Sequence, residues 1–222
     1  MKVVVIAPHP DDETLGVGGT LLKHKENGDD LFWIVFTRAD ENLGFSKKWI
    51  DDRKRQIEKV AKEYGFKETI ELGYITTTLD KIPIGEMIGF FSKHLQRIKP
   101  NIVYVNNWSD IHSDHKIVFQ VVMSSLKTFR ANFVKRILMY ETITETDQVP
   151  ALLQNAFVPN VFVDISKYID DKLSIMSIYN SEVMEYPLPR SLDSIKALAR
   201  YRGSQIGVEY AEAFYLLREV CV

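Results

Sequence analysis

Apolar residues along this chain fall into two alternating patterns. Short β-branched and aromatic runs at residues 3–6, 31–36, 69–72, 102–105, 136–140 and 161–163 predict strands. Between them, residues 15–25, 51–64, 84–98 and 115–126, and later 171–179 and 191–201, space their apolar positions by three and four and predict helices. Gly28, Gly65 and Pro100 each stand just beyond a helical stretch, where helices stop. Strand and helix alternate over roughly the first 140 residues, which predicts an α/β fold with a mainly parallel sheet covered by helices on both faces. Ligands in such sheets sit beyond the carboxyl ends of the strands. Patterning weakens after about residue 160, and 142–159 reads as a long loop or flap.

Polar residues crowd at two of those carboxyl ends. The run VVVIA leads straight into PHPDDE, which places His9, Asp11, Asp12 and Glu13 at the mouth of a strand whose unbroken apolar character marks it as buried. Pro10 restricts both itself and His9, and a tight turn there brings His9 and Asp12 toward one point while Asp11 projects elsewhere. Acids in a first helical turn are also ordinary, so Asp11 and Asp12 taken alone have a plain capping explanation. The glycines of GVGG at 16–19 miss the Gly-x-Gly-x-x-Gly spacing, and the acids before them would repel a pyrophosphate. They are read as letting the first helix pack closely on the sheet.

The second cluster, NNWSDIHSDH at 106–115, has the same placement between a predicted strand and a predicted helix. A catalytic zinc takes three protein ligands and keeps one position for water. His9 and Asp12 supply two, and His115 is the candidate third. His112 and Asp114 are then left near the metal without being required by it, where a carboxylate beside an imidazole fixes its tautomer. His24 and His94, both in helical stretches, are read as surface or internally satisfied residues, and Trp49 and Trp108 as core in preference to a substrate cleft or a subunit contact.

Composition narrows the class. The 222 residues suit one domain spanning 1–222, and 28 basic against 30 acidic residues with no like-charge block leave no electrostatic footprint for nucleic acid. Cys221 is the only cysteine, so neither a disulfide nor a thiolate metal site forms within one chain, and any metal must use His, Asp or Glu. Apolar runs are too short for a membrane span or a secretory leader. The expected location is cytoplasmic.

PHPDDE together with the downstream HSDH resembles the LmbE-like, or PIG-L, family of zinc-dependent N-acetylglucosaminyl deacetylases. Residues 51–65 and RYRGSQIGVEYAEAF extend the resemblance over nearly the whole chain, the latter toward the glucosaminyl-malate deacetylases of bacillithiol biosynthesis. The resemblance implies a Rossmann-like domain with one Zn2+ per chain held by His9, Asp12 and His115, a ligand set that also suits Fe(II) or Co(II). It implies Asp11 as general base, His112 as oxyanion stabiliser or proton donor, Asp114 orienting His112, and Arg53 contacting substrate. The implied partners are a small amino-sugar substrate and further copies of the chain in a homo-oligomer. Gln56, Thr76 and the run Thr37, Arg38, Ala39 depart from the family pattern at positions that bear on sugar recognition.

Acetamide hydrolysis requires an activated water and a protonated leaving amine. A metal lowers the pKa of its water toward ~7; Asp11 would take the proton, and either Asp11 or His112 would deliver one to the amine. The alternatives are another amide hydrolase on the same scaffold and a metal- or nucleotide-binding module without turnover. Asp11 and His112 favour an enzyme, because a site that only holds metal has no use for them.

Overall fold

Strand β1 (Lys2–Ala7) is apolar from Val3 to Ala7 because the sheet encloses it on both edges and both faces. The computed structural model describes residues 1–221. In it β1 pairs parallel with β2 (Asp30–Arg38) on one side and β4 (Ile102–Asn106) on the other. β3 (Glu68–Ile75) and β5 (Arg136–Tyr140) extend the parallel array. β7 (Ala211–Glu219) adds antiparallel to β5, and β6 (Val161–Asp164) antiparallel to β7, giving the order β3-β2-β1-β4-β5-β7-β6.

The two-residue period of β1 divides the core. Val3 and Val5 face one layer with Leu15 and Val17 of α1 (Asp12–Glu26), Ile57 and Val60 of α2 (Lys47–Tyr64), Ile175 of α5 (Ile169–Met176) and Ile195 of α6 (Leu192–Ser204). Val4 and Ile6 face the other, with Phe91 and Leu95 of α3 (Ile84–Ile98) and Val118 and Val121 of α4 (Ser113–Ser125). Helices therefore cover both faces of a mainly parallel sheet, as the alternation predicts. The helix ends agree with their breakers: α2 stops at Gly65 with φ 72, and α3 stops at Lys99, φ 53, directly before Pro100.

Helix α1 is the central one, buried from Asp12 to Leu21. It lies so close to the sheet that a Cβ on Gly16 would stand 2.2 Å from Tyr140 Cδ2 of β5. A buried ion pair is built against this helix. Glu212 of β7 accepts from the Gly19 and Thr20 N–H groups at 2.9 and 2.8 Å, while Lys172 of α5 donates to Glu212 at 2.7 Å and to the Leu15 carbonyl at 2.8 Å. This buried charge also explains why β7 escapes sequence patterning: Glu212 interrupts the apolar run that would mark a strand in a core. For both tryptophans the core reading gives way. Trp108 is 44% exposed, and Trp49 lines an open cleft instead of the core.

Topology places the site. β2 lies on one side of β1 and β4 on the other, so the chain leaves the two central strands in opposite directions and a crevice opens between their carboxyl ends. PHPDDE follows β1 and NNWSDIHSDH ends β4 and begins α4, which brings both clusters to that crevice.

Candidate active site

The turn after β1 separates its two aspartates by backbone conformation. Asp11 adopts φ 127 and ψ −29, a region that L residues seldom enter. The result is that adjacent carboxylates meet different partners. Asp12 Oδ2 accepts from the His9 backbone N–H at 2.9 Å and lies 3.5 Å from His9 Nδ1 and 3.3 Å from His115 Nε2. Asp11 Oδ2 instead receives Arg190 Nη1 at 3.0 Å.

His9 Nδ1, Asp12 Oδ2 and His115 Nε2 form a near-equilateral triangle, the last edge, between the two imidazole nitrogens, being 3.3 Å. A tetrahedral zinc with bonds of ~2.0–2.1 Å has ligand-to-ligand edges of about 3.3–3.4 Å. Asp12 Oδ1 is buried with no hydrogen-bond partner. The chemistry and spacing of these three residues therefore fit a divalent cation. The local field points the same way: burial alone would lower the two imidazoles, yet neighbouring carboxylates raise His9 to about 9 and His115 to about 10. Burial opposes ionisation of Asp12, but His115 and His9 hold it well below the usual carboxylate range. His9, His112 and Asp114 make a second close set. There Asp114 Oδ2 already accepts from Thr76 Oγ1 at 3.0 Å and the Thr77 N–H at 2.7 Å, while its Oδ1, like that of Asp12, is buried without a partner.

Asp114 does not orient His112 through its carboxylate, which stands 3.9 Å from His112 Nδ1. It lies 3.2 Å from His9 Nε2 and steadies that imidazole. His112 caps α4, its Nδ1 accepting the Asp114 backbone N–H at 3.1 Å. That bond assigns the ring proton to Nε2. Burial, then the nearby His9, lowers the pKa of His112, and the ring presents Nε2–H to the cleft. Thr76, one of the departures from the family pattern, is here the hydroxyl that holds Asp114.

Sequence patterning missed three further participants and the role of a fourth. Asp110 faces His115 Nδ1 at 2.8 Å, and its other oxygen accepts from Asn107 and Thr146 at 3.0 and 2.6 Å. It stood within the quoted cluster without a task. Arg190 comes from the loop before α6 and ties Asp11 to Glu182 at 3.1 Å, Thr144 Oγ1 at 2.8 Å and Glu145 at 3.4 Å. No local signal marks Arg190, Glu145 or Glu182. Burial raises the pKa of Asp11 above the usual carboxylate range, with Arg190 the chief opposing influence.

Arg53 is no surface residue. It is 8% exposed, donates to the Pro10 carbonyl at 3.1 Å and to Ser181 Oγ at 3.2 Å, pairs with Glu182, and lies 4.7 Å over the Trp49 ring. Gln56 points elsewhere, to Asn180 Oδ1 at 3.0 Å. His9, Asp11, Arg53, His112 and Arg190 all line one cleft of about 630 Å3. His24 is internally satisfied between Asp29 and Tyr104.

Residues 4–126, more than half of the chain and both clusters with it, match the PIG-L family model, described as GlcNAc-PI de-N-acetylase. The chain belongs to the PIG-L family. PIG-L similarity extends to a probable N-acetyl-alpha-D-glucosaminyl L-malate deacetylase 2 of Bacillus anthracis, 24% identical over 81% of this chain and 80% of that protein. A diacetylchitobiose deacetylase of Thermococcus kodakarensis is 25% identical over 95% of this chain and 81% of its own. Among solved structures, a conserved protein from Thermus thermophilus superposes with a TM-score of 0.79 at 26% identity, covering 99% of this chain and 96% of that one. The PIG-L chain described here has, among its described residues, no helix long and apolar enough to cross a membrane.

Proposed function

We propose that this chain is a metal-dependent hydrolase that removes the acetyl group from an N-acetylated amino sugar or its conjugate, and that residues 1–222 work as one catalytic domain. The observation that carries the reading is the 3.3–3.5 Å triangle of His9 Nδ1, Asp12 Oδ2 and His115 Nε2, which His9 opens onto a cleft that two reactive groups outside the triangle, Asp11 and His112, also line. Arg190, delivered by the C-terminal third, supports the single-domain reading because it holds Asp11 in place.

His9, Asp12 and His115 would hold the ion, and zinc suits their nitrogen and carboxylate donors. A divalent cation held there would supply Lewis acidity for an acetamide carbonyl and would lower the pKa of water toward ~7. Asp11, off the triangle and steadied by Arg190, takes a proton from the attacking water. His112 offers Nε2–H to the negative charge that grows on the acetamide oxygen. The carbon–nitrogen bond then breaks, and the proton gained by Asp11 passes to the leaving amine, so that acetate and a free amino sugar result.

Acetate release from a panel of N-acetylglucosaminides tests this directly. The expected result is release that a chelator abolishes and added Zn2+ restores. A metal-loaded protein that frees no acetate from any member of the panel overturns the proposal.

A further inference from the structure

Asp11 caps α1 with its carbonyl but not with its side chain. The carbonyl accepts the Thr14 and Leu15 N–H groups at 3.0 and 2.9 Å, as that of the residue before a helix does. An aspartate in this place ordinarily keeps extended backbone and turns its carboxylate onto the N–H groups of the first turn. At φ 127 Asp11 makes no such bond, and its carboxylate meets Arg190 at the cleft instead. A backbone conformation of this kind persists only where its surroundings over-determine it.

Glu13 supplies that restraint from inside the core. Its Oε2 accepts the Asp11 backbone N–H at 3.0 Å, and its Oε1 accepts from Thr14 Oγ1 at 2.7 Å and from the Tyr179 hydroxyl at 3.0 Å. The Tyr64 hydroxyl, at the end of α2, donates in turn to Thr14 Oγ1 at 3.1 Å. Glu13, Thr14, Tyr64 and Tyr179 are all fully buried. The three partners of Glu13 are one N–H and two hydroxyls, none of them a cation, although fully buried acids are ordinarily paired with one. A helix N-terminus favours an acid, which accounts for the charge but not for a bond that runs back to Asp11. In a capping box an acid returns a bond to the N–H of the capping residue, whose own side chain bonds the helix. Here only the return bond is made, and the capping carboxylate stays free of the helix.

We infer that Glu13 is a positioning residue for the general base: by holding the Asp11 N–H it maintains the turn that keeps the Asp11 carboxylate at the cleft and off the triangle of His9, Asp12 and His115. Glu13 touches no reacting atom and acts through Asp11. Without the hold, Asp11 relaxes toward an ordinary helix cap and its carboxylate turns onto α1. Two conservative substitutions separate reach from charge. Glu13→Gln loses the charge but keeps an oxygen at the same distance. The Thr14 and Tyr179 hydroxyls can rotate to accept from its amide NH2, whereas the Asp11 N–H only donates and so takes the oxygen. Glu13→Asp keeps the charge and falls one methylene short of the Asp11 N–H.

The inference rests on the deacetylase reading, so the hold is also measured without turnover, as hydrogen exchange of the Asp11 amide followed by NMR on metal-free and Zn2+-loaded protein. Glu13→Gln is expected to protect that amide as wild type does and to keep kcat within about tenfold, the worth of one ordinary hydrogen bond. Glu13→Asp should lose the protection and about 10²-fold or more in kcat, with KM and zinc content unchanged. Added to Asp11→Asn, Glu13→Asp should slow turnover no further, because both act through one group. The expected protection pattern in a protein that releases no acetate supports the hold and overturns the deacetylase reading. Equal protection in the two variants, Glu13→Gln slower than Glu13→Asp, or additive losses with Asp11→Asn overturns the positioning role. So does a Glu13→Asp protein whose lost turnover tracks lost zinc or lost folding, which would make Glu13 a structural residue only.

Discussion

His115 Nδ1 lies 2.8 Å from the Asp110 carboxylate, and neither residue is exposed to solvent. The contact fixes the tautomer of His115 and leaves Nε2 free to face His9 and Asp12. A partner of this kind typically changes metal affinity by about 10–100-fold. Asp110→Asn is therefore expected to weaken Zn2+ binding by that factor, read by competition with a chromophoric chelator. Affinity equal to wild type would remove Asp110 from any role in setting the imidazole.

Asp11 and Asp12 are chemically identical neighbours with different partners, so their substitutions should diverge. Asp12→Ala is expected to lose metal. Asp11→Asn should keep it and lose about 10²–10⁴ in turnover, the usual worth of general-base help. Elemental analysis and acetate release on both proteins decide the matter; a reversed pattern would exchange the two roles.

The pair Lys172 and Glu212 is buried at 3% and 5% exposure. Removing one partner strands a charge, and Glu212→Ala also strips the Gly19 and Thr20 N–H groups of their acceptor. A loss of about 3–5 kcal/mol is expected for Lys172→Met or Glu212→Ala alone, and a smaller loss than their sum for the double substitution. Urea unfolding of the three variants measures the coupling, and strict additivity would argue against it.

Two glycines in helices should respond oppositely to alanine. At Gly16 the new methyl would collide with Tyr140, so Gly16→Ala is expected to cost about 1–3 kcal/mol. At Gly89 in α3 nothing lies within 4 Å, and Gly89→Ala should stabilise by about 0.4–1 kcal/mol. Thermal midpoints of the two variants give the signs.

His24 supplies a pH dependence away from the site. Burial lowers its pKa against the raising influence of Asp29. The unfolded chain then accepts a proton near ~6.5 that the folded chain resists, so this contribution to stability is complete above that pH and declines as pH falls below it. Denaturant midpoints for wild type should drop as pH falls below ~6.5 more steeply than for His24→Gln. Parallel profiles would mean that His24 titrates alike in both states.

The six strand runs and six helical stretches were legible because each depends on local spacing of apolar residues, and β1 to α4 follow that spacing closely. The two polar clusters were legible for a related reason. A parallel sheet delivers every strand-to-helix turn to the same edge, so His9, Asp12 and His115 had to share a rim once β1 and β4 were recognised as strands. What spacing along a chain cannot carry is the choice among partners once a rim is crowded. Asp114 settles on His9, Thr76 and Thr77 because the loop after β3 arrives beside it, and His112 is left with a backbone N–H. Arg190 reaches Asp11 from 179 positions away, because α5 and α6 pack on the same face of the sheet as α1 and carry the loop between them to its rim. Hydrophobic periodicity is a property of neighbours in sequence; the assignment of a hydrogen-bond donor to one carboxylate among several is made by distance and burial, which exist only after the chain has folded.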